Sequence, residues 1–226
     1  MMAGDGFVVD GNILKEYKGN DEVVTIPDGV KTIDKSLFYE NYTLKKVIMP
    51  DSVTAIKDRA FNSCAHLEEV VFSKKLTTIG PYAFGGDRAL TTLDLSNTRI
   101  KTIRKKCFVG CENLERVLLP ETLKSIEDQA FMRTSIKELR FPAPVEKIAP
   151  SAFWRSLTDL YFEGADLIET NIRILGRECK EPRRLHCIKG SDLWYMFESS
   201  LREMEAENSH LGQYMPKLVI PELVEL

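Results

Sequence analysis

The sequence predicts a mostly β repeat protein, a solenoid of short parallel strands, and three observations predict it. Val24, Val47, Val70, Leu93, Val117, Leu139 and Leu160 recur at intervals of 23, 23, 23, 24, 22 and 21 residues. Phe38, Phe61, Phe84, Phe108, Phe131 and Phe153 keep almost the same beat, as do Ile33, Ile56, Ile79, Ile103, Ile126 and Ile148. Three interleaved series with one period define stacked copies of one unit, none of which buries its apolar face alone. The pattern divides the chain into an N-terminal cap (1–21), the repeats (22–165) and a C-terminal region (166–226).

The N-terminal stretch FVVDGNILKEY, residues 7–17, predicts a hairpin around Asp10-Gly11, because Asp-Gly supplies the positive φ that a tight turn needs. An array exposes an apolar end unless something covers it, so this hairpin is the expected cap. Each repeat then opens with an apolar-variable-apolar triplet, as in Val47-Ile48-Met49 or Leu139-Arg140-Phe141. A period of two turns the outer pair inward and the middle residue outward. Pro27, Pro50, Pro120 and Pro142 end strands, since proline brings no N–H to a ladder. The chain must next cross back to start a parallel neighbour. That return carries apolar residues at fixed offsets, Val53, Ile56, Ala60-Phe61, Cys64 and Leu67 in one copy. Between the Ile and the Phe there is room for no more than a helical turn. One copy carries an extra residue within SNTRI, 96–100.

Residues 166–184 break the pattern, and LHCIK (185–189) reads as one last strand after a degenerate return. Ser191 sits like an N-cap before a helix whose Leu193, Phe197, Leu201 and Met204 form one apolar stripe, suited to closing the C-terminal end. PKLVIPELVEL, 216–226, reads either as a final edge strand or as a segment that pairs with another chain.

The formal net charge is −3, with 31 basic and 34 acidic residues dispersed along the chain, which argues against a nucleic-acid surface. No run approaches 18 apolar residues, so no membrane span is expected. The N-terminal stretch has neither a basic nor an apolar signal region, which points to a protein kept inside the cell or to a mature form. Cys64 and Cys111 each follow a repeat Phe by three residues, and Cys107 replaces the usual Ala before it; all three read as small core residues. Cys64 and Cys111 lie two repeats apart, about 9–10 Å at ~4.8 Å per strand, too far for a disulfide. His66, His186 and His210 read as surface histidines without a catalytic partner. No nucleophile-elbow, zinc or phosphate-loop motif is present, so no enzyme activity, metal or cofactor is expected.

The pattern LxxVxMPxxVxxIxxxAFxxCxxL resembles the BspA-type, or Treponema-type, leucine-rich repeat of bacteria, over residues 22–165 and at least six copies. Asp10 to Tyr17 is similar to the opening hairpin of that family, and Leu185 to Ser191 to its closing strand and Gly-Ser step. The resemblance implies a right-handed leucine-rich-repeat solenoid with a parallel sheet on the concave face and a helical C-terminal cap. It also implies a protein-binding module, and surface display in host-associated bacteria.

Function is expected on the outward strand positions: Ile48, Val71, Asp94, Leu118, Arg140 and Tyr161, with Arg116 two residues before Leu118. Lys46 beside Glu69 and Arg116 beside Glu138 read as opposite-charge rungs. Ile48, Val71 and Leu118 are aliphatic where solvent is expected, which suits a protein-binding patch, plain strand propensity or cover by a terminus. The partner expected is a protein of unidentified class, and the chain itself a monomer or a weak self-associator.

Overall fold

The structure, a computed structural model, describes residues 2–3, 6–149, 151–154, 156–157, 159–162, 184–187, 194–195, 198–199, 201–202, 206 and 222–225. Ser191, Leu193, Phe197, Met204, Cys179 and His210 lie outside the described residues.

The chain coils into a parallel-strand solenoid of about seven turns. The N-terminal segment forms β1 (Met2–Ala3), β2 (Phe7–Asp10) and β3 (Ile13–Tyr17), and β2 and β3 make the expected antiparallel hairpin with Gly11 at φ 59°. The triplets then give β4 (Val23–Thr25), β6 (Lys46–Ile48), β8 (Glu69–Val71), β10 (Thr92–Asp94), β12 (Arg116–Leu118), β14 (Glu138–Phe141) and β16 (Asp159–Phe162). Two further strands, β17 (Arg184–Cys187) and β18 (Glu222–Glu225), continue this face in parallel register. The expected last strand is therefore present, and the C-terminal run pairs within its own chain.

The return segments hold a second set of strands that the sequence reading treated only as crossover. These are β5 (Thr32–Ile33), β7 (Ala55–Ile56), β9 (Thr78–Ile79), β11 (Thr102–Ile103), β13 (Ser125–Ile126) and β15 (Lys147–Ile148). They pair in parallel in the orders β3-β5-β7-β9 and β11-β13-β15. The N-terminal hairpin extends this second sheet. The break between β9 and β11 falls where the extra residue of SNTRI lengthens the coil.

Between Ile and Phe the chain makes tight turns rather than a helical turn. In five coils the residue two before Phe is left-handed: Ser36, Arg59, Tyr82, Lys106 and Gln129, at φ 53–58°. Two after Phe the same holds for Glu40, Ser63, Gly86, Gly110 and Arg133. These turns carry a third backbone ladder. Phe38 N–H donates to Ala60 C=O at 2.7 Å, Phe61 to Ala83 at 2.8 Å, Phe84 to Cys107 at 3.0 Å, Phe108 to Ala130 at 2.9 Å and Phe131 to Ala152 at 2.8 Å. From Phe38 to Ala152 each coil is thus hydrogen-bonded to the next along the turns even where a sheet is interrupted.

The core is a stack of like residues. Phe38, Phe61, Phe84, Phe108, Phe131 and Phe153 lie ring on ring, with centroids 5.0–5.7 Å apart and planes within 11°. Tyr17 of the hairpin lies on the first of them at 5.5 Å, and Phe7 on Tyr17 at 4.8 Å. The hairpin therefore covers the end of the aromatic column, while Asp34 ties it down by accepting from Lys15 at 2.9 Å and Lys57 at 3.1 Å. At the other end Trp194 and Leu201 are partly buried against the core.

The position three after Phe forms a second column, Asn41, Cys64, Asp87, Cys111, Thr134 and Ser156. Its members close turns from inside. Cys64 Sγ donates to Phe38 C=O and Cys111 Sγ to Phe84 C=O, both at 3.0 Å. Thr134 Oγ1 donates to Phe131 C=O at 3.0 Å. The described cysteines are free and buried, and burial raises every one of their thiols, Cys187 to about 11.

Candidate functional site

The first sheet presents the variable triplet residues outward, and its pairing is not continuous. β4-β6-β8 form one ladder, β10-β12 another and β14-β16-β17-β18 a third. At the two seams, β8 against β10 and β12 against β14, ladder hydrogen bonds are missing. Met49 N–H donates to Val71 C=O and Leu95 N–H to Leu118 C=O, both at 2.9 Å. The equivalent amides, Phe72 and Leu119, find no acceptor among the described residues.

The seams sort the expected site residues into three groups. Ile48 stands beside Val71, which is 39% exposed. Asp94 stands beside Leu118, which is 37% exposed. Arg140 stands beside Tyr161. Asp94 is used locally: its Oδ1 accepts from the Ser96 amide at 3.0 Å and the Ser96 hydroxyl at 2.6 Å, which shapes the turn after β10. Lys46 and Glu69 form the expected rung at 2.8 Å. Arg116 and Glu138 do not form one among the described residues, where β12 and β14 share no ladder register. A groove opens along that seam instead, lined by Arg116, Leu118, Lys137, Glu138 and Arg140.

Beside the groove lies a stack. The Arg140 guanidinium sits 3.9 Å from the centroid of the Tyr161 ring. Tyr161 in turn stacks on His186, at 4.0 Å and 8°. His186 is not the partnerless histidine that the sequence suggested. Its Nε2 donates to Asp159 Oδ1 at 2.8 Å. Arg184 grips the same carboxylate with Nε at 2.8 Å and Nη2 at 3.0 Å, so Asp159 is buried although it occupies a nominally outward position. A bidentate, charge-assisted contact of this kind fixes geometry as well as energy. The signal was present in the register: Arg184 is the strand neighbour of Asp159, and His186 lies diagonally across from it. Among the described residues no group of three or more His, Cys, Asp or Glu is placed to hold a metal, and no helix is long and apolar enough to cross a membrane.

Short parallel strands repeated every 21 to 24 residues, with a stacked Phe column behind them, define a leucine-rich-repeat solenoid. The chain belongs to the family described as the BspA type leucine rich repeat region, whose profile matches residues 21–158 in six copies. No curated protein was found to match. Among solved structures it is similar to a leucine-rich repeat protein of T. pallidum, TpLRR, with 24% identity, covering 67% of this chain and 77% of that one at TM-score 0.55. It is similar to a leucine rich cell surface protein of Faecalibacterium prausnitzii, with 24% identity, 72% and 55% coverage and TM-score 0.52. The pneumococcal vaccine antigen PcpA shares 17% identity, 98% and 48% coverage and TM-score 0.56. The chain spans about half the length of the last two.

Proposed function

We propose that this chain is a non-catalytic protein-binding module that holds its partner on the first sheet, across the seam between β12 and β14. One observation carries the reading: Leu118 stays 37% exposed at the lip of the groove, opposite an Arg140 whose guanidinium lies over the Tyr161 ring. An exposed aliphatic beside a pre-ordered arginine and an aromatic ring is the composition that interface hot spots favour. Ile48 and Val71 extend the apolar part of the same face. In this reading the coil is right-handed, as the family implies, and a C-terminal helix bearing Trp194 and Leu201 closes the end.

The test is a paired capture experiment. Wild type and an Ile48→Glu, Val71→Glu, Leu118→Glu variant, both folded by circular dichroism, are exposed to source-cell lysate and to host matrix proteins. Capture by wild type and loss by the variant supports the strand face; equal capture by both moves the site elsewhere.

A second reading is self-association. β18 pairs with β17 within the chain and has no further strand neighbour among the described residues. An open edge of this kind can pair with another chain. A mass that rises with concentration in light scattering, and that falls to the monomer on deleting residues 216–226, would favour it. Placement at the cell surface is part of the first reading. It draws support from the printed name of the Faecalibacterium relative, and protease treatment of intact cells tests it.

A further inference from the structure

We propose that the turn face carries a separate binding site, a tyrosine-walled trough over Gly86 that takes a carboxylated oligosaccharide. Two hollows on this face share Ser63, Gly86 and Val109 and so form one trough across adjacent coils. Its floor is the Gly85-Gly86 backbone: at the first position the adjacent coils carry Asn62 and Val109, whose side chains close over Gly85, and at the second the next coil also has a glycine, Gly110. A Cβ on Gly85 would come within 2.7 Å of Asn62 Nδ2 and 3.2 Å of Val109 Cγ1, and Gly86 is left-handed at φ 81°. Tyr39, Arg59 and Tyr82 wall one part; Tyr42, Arg88 and Arg133 wall the other.

Two features of the wall bear on what it holds. Tyr39 and Tyr42 are 46% and 59% exposed, among the most exposed large apolar side chains of the described residues. The lining is also cationic in a chain whose formal net charge is −3. Arg88 and Arg133 share the single carboxylate of Glu112, at 3.8 Å and 3.3 Å. Arg59 has no acidic partner within ion-pair distance among the described residues; it and Lys106 both approach the Tyr82 ring, each at 5.3 Å from the centroid. Three arginines line the trough against Glu112, with Glu40 beside Tyr39 at its rim, and the cationic excess of the lining attracts anions.

The ligand class follows from that mixture. Tyrosine rings offer flat faces to the C–H side of a pyranose. The Ser36 hydroxyl lines the same trough, as do the Asn62 amide and Ser63 hydroxyl, which donate to Gly85 C=O at 2.7 Å and to Asn62 Oδ1 at 3.3 Å and keep a second amide hydrogen and a hydroxyl lone pair for sugar hydroxyls. A guanidinium takes a carboxylate with two parallel hydrogen bonds. A nucleic acid, with a charge on every phosphate, requires a far more basic surface than this acidic chain presents. An oligosaccharide with one carboxylate every sugar or two matches three arginines spread over adjacent coils.

Calorimetric titration of the full chain at low salt tests this, with a hyaluronan octasaccharide, an oligogalacturonate, their carboxyl-reduced neutral forms, poly-glutamate and oligo-dT. The expected result is saturable binding of a carboxylated sugar, weaker by about tenfold or more for its neutral form and for an Arg59→Ser, Arg133→Ser variant. A Tyr42→Ser variant is expected to weaken sugar binding without changing charge. The Ile48→Glu, Val71→Glu, Leu118→Glu variant is expected to bind as wild type does, which separates this site from the strand face. Absence of saturable binding to either acidic sugar overturns the proposal. So does undiminished binding by the arginine variant, and so does equal affinity for poly-glutamate or oligo-dT.

Discussion

The backbone amide of Cys64 donates to Oδ1 of Asp87 at 2.8 Å, joining one coil to the next inside the core. Among the described residues the second oxygen, Oδ2, has no hydrogen-bond partner. Asp87 is fully buried, and burial raises its carboxyl well above the ordinary range, the Cys64 amide opposing this only in part. The groups that face it are the Cys64, Cys107 and Cys111 thiols, themselves raised by burial, and among the described residues no cation balances it there. A carboxyl raised on folding adds stability that is complete below its unfolded value near 3.8 and is lost as pH rises through its folded value. Asp87→Asn keeps the acceptor for Cys64 and removes the ionisation. It should therefore stabilise by about 1–3 kcal/mol at pH 8 and by nothing measurable at pH 4. Urea melts of both proteins across that range give the answer; a gain independent of pH would refute the assignment.

Asp34 makes the opposite prediction. Its hydrogen bond from Lys15, with help from Lys57, lowers its carboxyl to about 2. A depressed carboxylate adds stability above its unfolded value, and that stability is lost as pH falls from about 4 towards 2. Both lysines are substantially exposed, so Asp34→Asn should cost less than about 1 kcal/mol at pH 7. The difference between the two proteins should shrink on acidification. Thermal melts at pH 7, 4 and 2.5 would show it.

Phe84 lies between Phe61 at 5.1 Å and Phe108 at 5.6 Å, with no exposed surface. Phe84→Ala should cost about 3–5 kcal/mol, the usual loss for a buried ring whose site cannot collapse. The column fixes the coils on both sides, which leaves little room to relax. A loss below about 0.5 kcal/mol in urea would contradict the packing described.

The left-handed turns give a matched pair. Gly110 has φ 72° and no close neighbour for an added Cβ, so Gly110→Ala should destabilise through the backbone alone, by about 1–2 kcal/mol. Gln129 sits at φ 58° in the other turn, where glycine is better tolerated, and Gln129→Gly should be neutral or slightly stabilising. Opposite signs in denaturant melts are the expected outcome; two losses of equal size would mean that side-chain contacts, not φ, govern these positions.

The Phe, Ile and Val series were legible in the sequence because burial forces one residue type to recur at each turn of the coil. The seams were not, because whether Leu119 finds an acceptor depends on ångström-scale alignment of neighbours that spacing does not encode. The second sheet escaped notice because each of its strands is a two-residue step such as Thr78-Ile79, too short for any alternation to show. His186 meets Asp159 only through the register of β17 on β16, which spacing alone does not give. Asp87 carries a sequence signal: it occupies the same repeat position as Cys64 and Cys111, an acid in a column of small core residues.

The seams also set where amides are protected. Phe72 and Leu119 should exchange with solvent deuterium at least about tenfold faster than Met49 and Leu95, whose equivalent N–H groups are bonded. Residue-resolved exchange by NMR would decide it; equal protection at all four would close the seams.

The hydrogen bonds along the turns run unbroken while those of both sheets lapse, and this gives the solenoid a spine. Bending then concentrates at a few fixed creases, like a book opening between particular pages. A partner seated across the crease between β12 and β14 would meet a face whose width is adjustable at that line and stiff on either side of it. Affinity on such a face would be tuned by residues that never touch the partner, those that set how far the crease opens.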